Sequence, residues 1–335
     1  MPLVDPFARQ VRDLRISITD RCNFRCTYCM PEEGMVWQPR EELLTYEEIE
    51  RVARICVERW GFTGIRITGG EPTVRADLPA LVDRLAALSP ASGAGGRGTD
   101  LAMTTNGTSL GLLAPALRRA GLRRITVSCD SLRPDRFASI THRNALHRVL
   151  DGIDAAVAAG LSPVKVNCVL MRGVNDDEIV DFAAFGRDRG VEVRFIEFMP
   201  LDAQGAWTAQ TVVTYDEVVR TIDAVFPLEP VDQRGSQPAE RFAYRDGGGT
   251  VGVIASVTRS FCSSCDRVRL TADGQFRNCL FAVHETDLRA ILRGGGTDDD
   301  VAAAIEADVG RKWTGHTIGQ VTFLRPGRSM SQIGG

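Results

Sequence analysis

Lysine is almost missing from this 335-residue chain: of 40 basic residues only Lys165 and Lys312 are lysine. A codon-skewed genome produces such a bias, and against it a lysine inside an apolar strand, as at 165, calls for an explanation. An apolar run of about 18 residues is missing as well, which argues against a membrane-spanning helix. The amino-terminal stretch MPLVDPFARQVRDLR has no apolar h-region and no small-residue cleavage site. A soluble, cytoplasmic protein with no membrane partner is expected. Nor does charge of one sign dominate. With 40 basic against 43 acidic residues the net charge is −3, so nothing general favours nucleic acid, and any basic site must be local. The nine cysteines cannot all pair. In a reducing compartment, spaced cysteines serve as metal ligands or catalysts more often than as disulfides.

What the chain does have is a core: 44% of its residues are hydrophobic, enough for one large or two modest domains. Apolar runs of strand length recur at 14–19, 64–68, 101–105, 124–129, 164–171 and 191–198. Between them lie segments with helical periodicity. One opens on a Thr45-x-x-Glu48 capping box and places Ile49, Val52, Ala53 and Cys56 on one face; another starts at Asn175-x-x-Glu178. Six strands alternating with helices predict an α/β protein with a parallel sheet and right-handed crossovers. The Gly-rich stretches 89–100 and 293–300 read as surface loops. Beyond about 200 the alternation fades into short β-like pieces, which divides the chain into 1–210 and 211–335.

Cys22-x3-Cys26-x2-Cys29 directly follows the first strand, where parallel sheets carry their chemistry. A second triad is Cys262-x2-Cys265-x13-Cys279. Cys56, Cys129 and Cys168 fall within elements and read as buried small hydrophobes. Structural zinc takes four ligands, and the first triad has no fourth. At the second, His284 could complete a Cys3His site. A 4Fe-4S cluster held by three thiolates instead leaves one iron open for a small molecule, so the missing fourth thiol is itself informative.

The first triad, with Tyr28 before its last cysteine, resembles the signature of radical S-adenosylmethionine enzymes. Ile67-Thr68-Gly69-Gly70-Glu71-Pro72, after the second strand, is similar to that superfamily's methionine contact, its glycines letting backbone carbonyls approach an ammonium group. The second triad, Arg267-Val268-Arg269 beside it and the ending Gly334-Gly335 narrow the resemblance to the GTP 3',8-cyclases of molybdenum cofactor biosynthesis. Seven-cysteine auxiliary domains of peptide-modifying relatives need more cysteines than remain. A metal sensor that binds a nucleotide without chemistry is the alternative from another class.

The resemblance implies a partial (β/α)6 barrel, closed by a carboxyl-terminal segment that carries a second 4Fe-4S cluster. It implies that Cys22, Cys26 and Cys29 hold the first cluster and Cys262, Cys265 and Cys279 the second. Tyr28, Gly70, Ser128 and Met199 are then expected to contact S-adenosylmethionine, and Arg15, Arg66, Thr104, Lys165, Arg267, Val268 and Arg269 to contact GTP, with Arg194 a further candidate. Guanidiniums grip phosphate oxygens in fork geometry, while a compact ammonium at 165 suits a tighter place. Gly64 departs from relatives that carry a basic residue there. Arg267, Arg269, Gly334 and Gly335 are the expected catalytic residues. Further implications are hydrogen abstraction from ribose carbon 3', attack of that carbon on guanine carbon 8, a low-potential electron donor and a homodimer. The product would pass to the enzyme that makes cyclic pyranopterin monophosphate. Both triads and the Gly-Gly-Glu turn are expected at one end of the sheet.

Overall fold

Alternation decides which face of each strand meets solvent or ligand. In β1 (Asp13–Ser17) the side chains of Leu14 and Ile16 are fully buried under helices, and Arg15 turns the other way. The same pattern repeats in β2 (Gly64–Thr68), with Ile65 and Ile67 in the core and Arg66 opposite. The computed structural model describes residues 1–30, 35–89, 98–202, 205–231 and 234–334. The parallel series continues with β3 (Asp100–Thr105), β4 (Arg124–Ser128), β5 (Val164–Leu170) and β6 (Glu192–Glu197). All six strand runs read from the sequence are present, with ends shifted by at most two residues.

The carboxyl-terminal third adds β7 (Leu228–Pro230), β8 (Glu240–Tyr244), β9 (Thr250–Ile254), β10 (Arg267–Leu270), β11 (Gln275–Arg277) and β12 (Thr286–Asp287). They do not form a separate sheet. β9 pairs parallel with β6, and β10 pairs parallel with β1, giving one twelve-stranded sheet in the order β12-β11-β10-β1-β2-β3-β4-β5-β6-β9-β8-β7. The late strands therefore extend both edges of the six-stranded core. The order ends in β12 on one side and β7 on the other, so the described strands do not close into a hydrogen-bonded ring.

Helices cover the outer face. The first, Tyr46–Trp60, begins with the expected capping box: Thr45 accepts from Glu48 N–H while Glu48 accepts from Thr45 N–H, and Ile49, Val52, Ala53 and Cys56 are fully buried. The second capping box is not formed. Asn175 donates to the carbonyls of Asp130 and Val169, and Glu178 accepts from Ser131 and Leu132, so both side chains fasten strand ends and leave the helix Ile179–Arg189 without a side-chain cap. The loop read at 293–300 is also shorter than expected: Thr297 caps a helix that starts at Asp298 and runs to Val309. The loop at 89–100 lies mostly outside the described residues. Among those described, no helix is long and apolar enough to cross a membrane. Cys56, Cys129 and Cys168 are buried in the core, as their positions within elements suggest.

Candidate active site

The inner face of the sheet borders a cavity of about 900 Å³, and all six cysteines of the two triads line it. None of them is in a disulfide. One expectation is corrected here. Cys22 to Cys29 follow the carboxyl end of β1, but Cys262 and Cys265 precede β10, which runs parallel to β1 with Arg267 beside Asp13. Cys279 follows β11, antiparallel to β10. The second triad therefore sits toward the amino ends of the strands, and the triads face one another across the cavity rather than sharing one end.

Backbone contacts fix the first loop. Arg25 N–H donates to Thr141 O and Thr27 N–H to Ile140 O, both at 3.0 Å. The turn after β3 grips it from the side: Asn106 donates to Asn23 at 2.7 Å, and Asn23 donates to Thr108 at 3.0 Å. Burial pushes the Cys22 thiol up to about 11 and the Cys29 thiol up to about 12, so the free thiols are protonated and must lose protons on taking metal. Tyr28 donates to Asp130 at 2.7 Å, and burial raises that carboxyl to about 6.

Gly69 and Gly70 line the cavity, and packing requires them to be glycine. A Cβ on Gly70 would lie 2.4 Å from Asp20 O and 2.5 Å from Arg21 O, so the strap after β2 can lie against the cysteine loop only if it is glycine. Glu71 is buried and accepts from Thr105 Oγ1, Asn106 N–H and Thr73 N–H, tying the ends of β2 and β3 together. Ser128, the last residue of β4, and Met199, two residues after β6, line the cavity. Met199 is only half-buried and outside the hydrophobic core, where periodicity alone would put it.

Register builds a row of guanidiniums between the triads. Arg269, Arg15 and Arg66 are lateral partners on β10, β1 and β2, and Arg267 lies one pleat toward the second triad. Arg66 reaches the hydroxyls of Thr104 and Thr126 at 3.4 and 3.3 Å. Burial, with Arg15 adding, brings its guanidinium down to about 9. Arg15 Nε and Arg267 Nε and Nη2 are buried without a hydrogen-bond partner. Arg267 lies over the Phe261 ring at 4.8 Å. On β5, Lys165 lines the cavity; burial first and Arg194 second lower its ammonium to about 7. Arg194 is bound to Glu192 at 2.5 Å. Buried cations with unused donors are costly unless an anion meets them. Val268 does not join them. Its side chain is fully buried on the other face of β10, where alternation places it. Gly64 lines the cavity, and a Cβ there would meet Asp13 Oδ2 at 2.9 Å.

The tail enters from the carboxyl end. Arg328 is anchored on Asp273 at 2.8 Å and Glu285 at 2.7 Å, a short helix follows at Met330–Ile333, and the Gly334 carbonyl accepts from Arg269. Gly334 has φ +85°, and a Cβ would lie 2.8 Å from Thr68 Cγ2. Gly335 lies outside the described residues. His284 is exposed and does not line the cavity. Among the described residues, no group of three or more His, Cys, Asp or Glu side chains is arranged to hold a single metal ion. A cluster takes one thiolate on each of three irons, and the three cysteines of each triad, all lining the cavity, supply that donor set. Sequence reasoning missed Glu71 as a tie, Asn106, Asp130 and His316, all of which line the cavity. The TTNG run that ends β3 carried the local signal for Asn106.

The Radical SAM superfamily model matches residues 16–186, and the Molybdenum Cofactor Synthesis C model matches 191–318. A protein of Streptomyces coelicolor named GTP 3',8-cyclase is 49% identical over 335 residues, covering 99% of this chain and 96% of its own. The chain belongs to the GTP 3',8-cyclase family. A relative of the same name from Mycolicibacterium smegmatis is 48% identical, with 100% of this chain and 92% of its own covered. Among solved structures, Streptococcus suis SuiB bound to S-adenosylmethionine aligns with TM-score 0.56 at 13% identity, over 89% of this chain and 68% of SuiB. Native anSMEcpe with bound AdoMet aligns with TM-score 0.56 at 16% identity, over 82% of this chain and 77% of its own. These likenesses show a shared fold.

Proposed function

We propose that the chain converts GTP to (8S)-3',8-cyclo-7,8-dihydroguanosine 5'-triphosphate, the first step of molybdenum cofactor biosynthesis, with S-adenosylmethionine as co-substrate. The observation that carries this reading is the cavity itself: two thiol triads face each other across a row of guanidiniums, two of which, on Arg15 and Arg267, hold buried nitrogens without a hydrogen-bond partner. Making the radical needs one metal centre and placing the substrate uses the other, whereas a nucleotide sensor needs at most one. Cys22, Cys26 and Cys29 hold one 4Fe-4S cluster, and Cys262, Cys265 and Cys279 hold a second. When bound, the first supplies the electron for reductive cleavage of S-adenosylmethionine. Tyr28, Gly70, Ser128 and Met199 seat that co-substrate at the carboxyl ends of the strands. Arg15, Arg66, Thr104, Lys165, Arg267 and Arg269 bind the nucleotide, with the phosphates meeting the guanidinium nitrogens that have no hydrogen-bond partner. Val268 contributes its main chain only.

The test is turnover by anaerobically loaded protein given GTP, S-adenosylmethionine and a low-potential reductant. About eight irons per chain, 5'-deoxyadenosine and a cyclised triphosphate of unchanged mass are expected. Stoichiometric zinc with no loss of GTP overturns the reading in favour of a sensor.

Lys165 gives this reading a pH signature. Its ammonium is held near 7 in the free protein by burial and Arg194, and a bound phosphate restores the charged form. Above about pH 7, binding must therefore draw a proton onto Lys165. GTP affinity is expected to fall between pH 7.5 and 9, approaching about tenfold per unit, and Lys165→Met flattens that slope. Lys165→Arg keeps the charge but places a planar group in a compact site, costing about 1.5–3 kcal/mol of binding. Calorimetry in buffers of different ionisation enthalpy reads the proton uptake directly; no uptake in the wild type removes Lys165 from the phosphate site.

A further inference from the structure

The second lysine has no role in the site as described so far. Lys312 follows the helix Asp298–Val309, is 4% exposed, and has no carboxylate partner among the described residues. Its ammonium donates to the main-chain carbonyl of Arg267 at 2.6 Å and to that of Asn278. Arg267 lies two residues after Cys265, and Asn278 immediately precedes Cys279. One nitrogen thus joins the two chain segments that carry two of the three sulfurs of the second triad. The charges that face it are those sulfurs and two cations from other elements, Arg9 and Arg267.

A buried ammonium with no carboxylate is expensive in a folded protein. Solvation by two carbonyls lowers that cost, and a negatively charged centre on the neighbouring sulfurs would offset it further. Convergence of two carbonyls on one nitrogen also explains why arginine does not serve in a chain that otherwise uses arginine almost throughout: a guanidinium spreads its donors over a plane.

We propose that Lys312 is the positioning residue and fixed counter-charge of the second metal centre. It holds the Cys265 and Cys279 segments at the separation the iron centre needs, and its charge makes that centre easier to reduce. Groups that hydrogen-bond or charge-balance the sulfur ligands set both the affinity and the potential of such sites. The inference rests on the reading that the second triad holds a cluster.

Lys312→Met and Lys312→Arg, made in the full chain and loaded anaerobically, test it. Iron per chain, release of iron to a ferrous chelator, and the midpoint potential of the GTP-responsive paramagnetic signal are measured. In Lys312→Met half of the iron is expected to leave about tenfold faster than in the wild type, with the midpoint moved to a more negative value and the S-adenosylmethionine-responsive signal unchanged. Lys312→Arg restores the midpoint but not the slow release, separating charge from geometry. Wild-type release and midpoint in Lys312→Met overturn the proposal. Should that variant fail to fold, Lys312→Arg alone decides, and release at the wild-type rate overturns it. About four irons in the wild type instead overturn the two-cluster reading on which the proposal stands.

Discussion

Replacing Cys22, Cys26 and Cys29 together by serine is expected to leave a folded protein with about half the wild-type iron and no 5'-deoxyadenosine formation at all. Folding survives because the loop is held by main-chain bonds to Thr141 and Ile140 and by the Asn106–Asn23–Thr108 chain, none of which uses sulfur. Each Cys→Ser change replaces a soft, polarisable ligand by a hydroxyl that does not deprotonate near neutral pH, so the metal is lost while packing hardly changes. Thermal unfolding of the metal-free forms of variant and wild type should agree within a few degrees. The second triad provides the contrast: serine at 262, 265 and 279 should spare some cleavage of S-adenosylmethionine and abolish cyclisation. Deoxyadenosine from the first variant, measured by chromatography, means that the first triad has been misassigned.

The second large effect is expected at the terminus. Removing Gly334 and Gly335 should leave iron content and S-adenosylmethionine binding as in the wild type and reduce GTP cyclisation on the order of 100-fold or more. An Ile-Gly-Gly end is ordinarily frayed and dispensable. Here Ser331 and Ile333 are buried, Arg328 fastens the approach, and the Gly334 carbonyl takes the guanidinium of Arg269 out of free rotation. Losing that acceptor frees Arg269 beside Arg15 and Arg66, where three like charges already crowd one another. Gly334→Ala should fail in the same way, since its positive φ and the contact with Thr68 both refuse a methyl group. Full turnover by the truncated enzyme makes the tail a spectator.

Local patterns made most of this fold legible. Strand alternation and the Thr45 capping box depend on neighbours within a few residues, and the structure reproduces both. The same reading failed at Asn175-x-x-Glu178 because the motif's side chains are taken by Ser131, Leu132 and the end of β5, partners no local window contains. Val268 shows the reverse limit. A run of three site residues on one strand cannot share a face, since period two sends the middle one into the core. The cysteine triads were visible as spacing, but their placement at opposite ends of the cavity follows from β10 running parallel to β1, which spacing does not encode. Lys165 stood out by composition. Lys312, equally rare, needed the geometry of two carbonyls before it meant anything.

Because β10 joins the free edge of β1 while β9 joins that of β6, the first strand made by the ribosome waits for nearly the last before it has two neighbours. Arg9 and the carbonyl of Cys262, in contact at 2.6 Å, are 253 residues apart in the chain. Pairings of that separation form late and slowly, after the loop-closure entropy has been overcome. During synthesis the six-stranded core therefore stands with both edges bare and its cationic interior open along one side. That interval exposes the chain to edge-to-edge association.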